Sequence, residues 1–85
     1  KNTKAVVYPN PAKDIINIRL TGSNTSEKAT IALFSFDGRL LKQQQVILAG
    51  QTETMDISRL QAGYYFIKVS SNDGVVVKKI EVIKH

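Results

Sequence analysis

Turn-forming residues recur along this chain at intervals of roughly ten residues, and the segments between them are short and rich in Val, Ile, Thr, Tyr and Phe. That punctuation leaves no stretch with the 3.6-residue apolar period of an amphipathic helix, so an all-β fold is expected. Residues 14–20 carry the clearest signal. Ile16, Ile18 and Leu20 alternate with Asn17 and Arg19, giving a pleated strand one apolar face and one polar face. A shorter strand at residues 5–8 stops at Pro9-Asn10-Pro11, where two fixed φ angles and two missing N–H donors end any ladder.

Residues 28–36 predict a third strand, with Ile31 and Leu33 on one face. Phe34 and Phe36 break its alternation: either they pack on the opposite face under a neighbouring segment, or a bulge shifts the register near the turn. Asp37-Gly38 predicts a two-residue type I′ hairpin, in which both turn residues take φ > 0. The returning strand, residues 39–48, is polar on both faces at Lys42-Gln43-Gln44-Gln45 and so reads as an edge strand. Beyond Ala49-Gly50, residues 51–57 place Met55 and Ile57 on one face, and Leu60 in the following connection is expected to plug the core. Residues 62–69 are the most apolar stretch, with Tyr65, Ile67 and Val69 opposite Tyr64 and Phe66, and are expected at the centre of a sheet. Ser71-Asn72-Asp73-Gly74 predicts the last turn, and residues 75–83 the closing strand, with Val76, Ile80 and Val82 in phase. About seven short antiparallel strands suit a two-layer sandwich of immunoglobulin type, since a single sheet would leave one apolar face wet; a small barrel is the alternative.

A chain of 85 residues supports one core, so residues 1–85 are read as a single domain, with residues 1–4 as a linker remnant from a longer protein. Cysteine is absent and the single histidine is His85, which removes disulfides, zinc sites of Cys/His type and Cys/His catalytic pairs. No catalytic residue, metal site or cofactor is expected. The formal charge of +5 is carried by singly scattered lysines and arginines, apart from Lys78, Lys79 and Lys84 near one end. Such scatter reads as a solvated β-surface, and no nucleic-acid partner is expected. No apolar run approaches the roughly 18 residues of a membrane helix.

Four pieces, taken in order, resemble a known family. They are Tyr8-Pro9-Asn10-Pro11, the hairpin Phe36-Asp37-Gly38-Arg39, the run from Leu60 through Gly63 and Tyr65 to Val69, and the lysine-rich closing strand from Lys78 to Lys84. Together they are similar to the type A C-terminal sorting domains of type IX secretion. The resemblance implies a non-catalytic signal that directs an attached cargo protein through the periplasm and an outer-membrane translocon to the cell surface or beyond. It also implies as partners the translocon, an outer-membrane shuttle protein, and a surface sortase-like cysteine protease that cuts ahead of Tyr8, in or upstream of residues 1–4. Carried across position by position, the recognition candidates are Gly63, Tyr65, Lys78, Lys79, Val82 and Lys84. Tyr8, Pro9, Asn10, Pro11, Asp37 and Gly38 are the structural motif residues.

Three further expectations follow from the residues and the resemblance together. A Gly at a strand entrance permits φ > 0, so Gly63 is expected to set the angle at which its strand joins the sheet. Removal of residues 81–85 is expected to abolish export while leaving most of the β fold. An exposed closing strand leaves a backbone edge that a partner, or a second copy forming an edge-paired homodimer, would engage. The alternative function is a carbohydrate-binding or adhesion module. Against it, there is no Trp, and strand alternation assigns most of the Tyr and Phe residues to the core.

Overall fold

The structure, a computed structural model, describes residues 4–21, 28–47, 52–72 and 74–84. Among the described residues there are seven strands: β1 (Lys4–Tyr8), β2 (Ile15–Thr21), β3 (Lys28–Ser35), β4 (Leu40–Ile47), β5 (Thr52–Asp56), β6 (Gly63–Ser71) and β7 (Gly74–Val82). They form two antiparallel sheets, β1-β2-β5 and β4-β3-β6-β7, so the expected all-β sandwich is what the chain adopts. The predicted loops at residues 22–26 and at Ala49-Gly50, together with Asp73 and His85, lie outside the described residues.

Alternation explains the layers. Ile16, Ile18 and Leu20 of β2 face Ile31 and Leu33 of β3 and Tyr65, Ile67 and Val69 of β6, and all of them are buried. Met55 and Ile57 join them, Ile80 and Val82 of β7 complete the set, and Leu60 packs against it from the β5–β6 connection. Each such aliphatic side chain contributes about 1.5–3 kcal/mol by leaving water. The sheets are also tied at the β4–β5 side, where Lys42 Nζ donates to the Asp56 carbonyl at 2.8 Å. As expected, β4 is an edge strand and β6 is central.

Two expectations need correction. The β3–β4 hairpin is not a two-residue type I′ turn. Gly38 has φ +91°, but no other residue type takes a positive φ among the described residues, so Asp37 does not. Ser35 N–H donates to the Arg39 carbonyl and Gly38 N–H to the Ser35 carbonyl (2.8 and 2.9 Å), which makes residues 36–38 a three-residue loop ending in a left-handed glycine. The Ser35 hydroxyl donates to the Asp37 carboxylate and accepts from Arg39 N–H at 3.0 Å, so side chains share in holding the loop.

The second correction concerns the aromatics. Of the six, only Tyr65 lies in the core; Phe36 and Tyr64 are 66% and 48% exposed. The register shift offered for the phenylalanines is present, and they do turn to the opposite face, but Phe36 is largely exposed there and not packed under a neighbouring segment. The β3–β4 register shifts between Leu33 and Phe34, and Phe34 pairs with Phe66 on the outer face of the four-stranded sheet. There Phe36 stacks on Phe66 with ring centroids 5.9 Å apart. Apolar residues on an outer face keep the alternation of a strand while inverting its usual polarity, so period gives the face of each aromatic but not whether that face is buried.

Candidate recognition site

The candidate recognition site is the closing strand together with what covers it. β7 pairs along its length with β6, placing Val82 opposite Gly63, Ile80 opposite Tyr65 and Lys78 opposite Ile67. Its other edge is met by the Pro-Asn-Pro segment, which follows β1 and turns alongside β7. The Asn10 side chain imitates a strand residue there: Glu81 N–H donates to its Oδ1 at 2.9 Å, and its Nδ2 donates to the Lys79 carbonyl at 3.2 Å. The ladder continues with Ala12 N–H to the Glu81 carbonyl and Ile83 N–H to the Ala12 carbonyl, both 2.8 Å, around a parallel bridge between Ala12 and Val82. Ala12 itself is buried. Both X–Pro bonds, at Pro9 and Pro11, are cis.

The six recognition candidates divide by what they touch. Gly63 has φ +151°, a conformation that L side chains rarely adopt, although an added Cβ would meet nothing within 4 Å; conformation, not space, calls for glycine. Tyr65 is a core aromatic whose hydroxyl donates to the Gln61 carbonyl at 2.7 Å, fixing the chain just before β6. Val82 is buried at 1% exposure. Lys84 points back under the sandwich: its Nζ donates to the carbonyls of Ser58 (3.0 Å), Lys13 (3.1 Å) and Ile57 (3.5 Å), tying the chain end to the β5–β6 connection and the entry to β2. Lys78 and Lys79 alone among the six are exposed without such ties. Lys79 lies over the Tyr64 ring, 5.0 Å from its centroid, as a cation–π contact on the outer face. Lys78, one residue earlier, faces the other way, beside Ala5, Val6 and Val7 of β1.

Sequence reasoning found the lysines but missed Asn10 as a hydrogen-bonding group, because its partners lie 69 and 71 residues away and a side chain supplies both bonds. The motif residues Asp37 and Gly38 hold the distal hairpin, where the Ser35 hydroxyl, assisted by Arg39, keeps the Asp37 carboxyl below its usual range. Asp56 is lowered likewise by the Ser58 hydroxyl and N–H, with Lys42 and Arg59 nearby. Both carboxylates are therefore turn-stabilising groups held in their charged form, not acids poised to give up a proton at neutral pH. Among the described residues no buried side-chain nitrogen or oxygen lacks a hydrogen-bond partner, and no three His, Cys, Asp or Glu gather as metal ligands.

The sequence pattern of the family described as secretion system C-terminal sorting domain matches residues 6–84. The chain belongs to this family. It is a type IX secretion sorting domain, and that family's role is to send proteins to the cell surface or extracellular space with the secretion machinery as its partner. The sorting domain is similar to part of a solved structure, the crystal structure of dimeric latent PorU from Porphyromonas gingivalis, at TM-score 0.73 and 18% identity. The match covers 98% of this chain and 9% of that one, so the domain spans a small part of its structural neighbour. A second neighbour is CopC from Methylosinus trichosporium OB3b, with TM-score 0.50 and 19% identity, covering 93% of this chain and 91% of that one. At these identities both likenesses speak for the sandwich fold alone. No curated protein matches the chain.

Proposed function

We propose that residues 1–85 form one transferable address: a domain without chemistry of its own that carries an attached cargo through the type IX translocon. The observation that carries this reading is the family match over residues 6–84, which takes in the partly covered closing strand as well as the hairpins. An outer-membrane shuttle protein receives the folded domain, and a surface sortase-like cysteine protease then cuts ahead of β1.

Within the address, Lys78 and Lys79 make the contact, and Gly63, Tyr65, Val82 and Lys84 position the strand that presents them. The exposure of the first pair and the internal bonds or burial of the other four support this division. The test is a fusion of residues 1–85 behind a signal peptide and a fluorescent reporter in a bacterium with the system. The fusion is expected outside the cell, and Lys78→Ala/Lys79→Ala is expected to hold it in the periplasm still folded, with a melting temperature lower by at most a few degrees through loss of the Lys79–Tyr64 contact. Export of the double variant at the level of the parent would overturn the assignment of the lysines.

A further inference from the structure

The Pro-Asn-Pro segment covers only part of the β7 edge. In an antiparallel strand the N–H and C=O of one residue point to the same side, and the sides alternate along the chain. Glu81 turns both groups away from β6, toward Asn10 and Ala12, so Val75, Val77 and Lys79 turn theirs the same way. The Asn10 amide takes the Lys79 carbonyl. Among the described residues nothing takes Lys79 N–H or the N–H and C=O of Val75 and Val77.

This stretch, open among the described residues, lacks most of the usual guards of an edge. Val75-Val76-Val77 is β-branched throughout, and Val75 and Val77 are 58% and 55% exposed, whereas the opposite edge, β4, carries Gln43-Gln44-Gln45. We propose that the edge from Val75 to Lys79 is a strand-addition site for an extended segment of another protein. That segment has apolar residues on one face and carboxylates on the other.

Both halves of this chemistry follow from the two faces of β7. Val75, Val77 and Lys79 lie on the outer face, where Lys79 pairs with Phe66, so an added strand meets an apolar surface already begun by the phenylalanines. Lys78 lies on the inner face at a groove of about 200 Å³ between β1 and β7, where a carboxylate of the added strand reaches its ammonium. A second copy of the chain is a poor occupant, since each brings a charge of +5 and sets Lys78 and Lys79 at the seam. Asn10 sets the end of the site, because its amide already occupies the position the next residue of an added strand would need. The proposal concerns the polypeptide chemistry this edge accepts and does not depend on where the cargo travels.

The probe is a synthetic peptide, Thr-Val-Glu-Val-Glu-Val-Thr, titrated into the isotope-labelled chain and followed by amide NMR. The expected result is a set of shift changes centred on Val75, Val77 and Lys79. Val77→Pro should weaken binding about tenfold, because it deletes an outward N–H where an edge tolerates proline. A copy of the peptide N-methylated at alternate residues should bind the unaltered chain at least as poorly, which gives a test independent of how the variant folds. Undisturbed amides at these residues, equal binding by the N-methylated peptide, or a mass in solution showing dimerisation through β7 would each overturn the proposal.

Discussion

At the scale of single residues, Asn10 has the largest consequence for its size. Held between two prolines, neither of which offers an N–H, the backbone there is a poor partner for β7, and the side-chain amide supplies both a donor and an acceptor instead. Asn10→Ala removes both bonds and leaves Glu81 N–H facing solvent. The expected cost is about 1–2 kcal/mol from two partly exposed hydrogen bonds, read as a lower urea midpoint at unchanged slope. A midpoint equal to that of the parent would mean that the amide contributes nothing to holding the edge. Asn10 shows where sequence reading stops: a Pro-Asn-Pro turn is legible, but nothing local says that its side chain completes a ladder 71 residues away. The lysines were legible as a cluster. Their different fates, Lys84 bound to three carbonyls and Lys79 over a ring, depend on tertiary placement that a pattern of charges does not encode.

At the scale of elements, strands with one buried face were readable and turns less so. β2, β5 and β6 follow a period of two because one side of each meets the core, so Ile16, Met55 and Ile67 could be assigned from alternation alone. The β3–β4 loop went astray by one residue: with Phe36 counted as strand, Asp37-Gly38 looks like a two-residue turn, and with Phe36 in the loop the same glycine ends a three-residue one.

β7 is the element whose removal matters most, and the structure changes what truncation should do. Residues 81–85 include Val82, which is fully packed, and both partners of the Ala12 ladder. Their loss also frees the carbonyls bound by Lys84. A chain ending at Ile80 is therefore expected to lose several kcal/mol, by analogy with about 2–5 kcal/mol for deleting a large buried side chain. It should show a broadened or absent thermal transition by circular dichroism. A sharp transition near that of the parent would contradict this and restore the expectation that the fold outlives its last residues. Loss of export on truncation is thus a weak test of recognition, whereas the surface substitutions at Lys78 and Lys79 separate contact from folding.

At the scale of the whole molecule, two small sheets share one aliphatic core and are joined at their sides by different means. Lys42 spans the β4–β5 side, and on the other side the segment between β1 and β2 crosses to the β7 edge. The second join puts the beginning and end of the domain next to each other, so the entry to the sandwich and the lysine-rich strand are organised together. On the assignment of Lys78 and Lys79 proposed above, the signal is a folded surface and not a linear tag, with the lysines presented by the core, the Pro-Asn-Pro cover and the bonds of Lys84 together. The sandwich could be anticipated from strand alternation and the family membership from the ordered motifs; the exposure of the outward aromatics could not, because an apolar outer face follows the same period as an apolar inner one.

The most direct measurement of this account is the fraction of a reporter joined to residues 1–85 that leaves the cell, compared between a strain with a working type IX translocon and one lacking it. Release or surface display in the first strain and periplasmic retention of the intact, folded fusion in the second is the result predicted. Equal distribution in the two strains, with the domain folded in both, would contradict it.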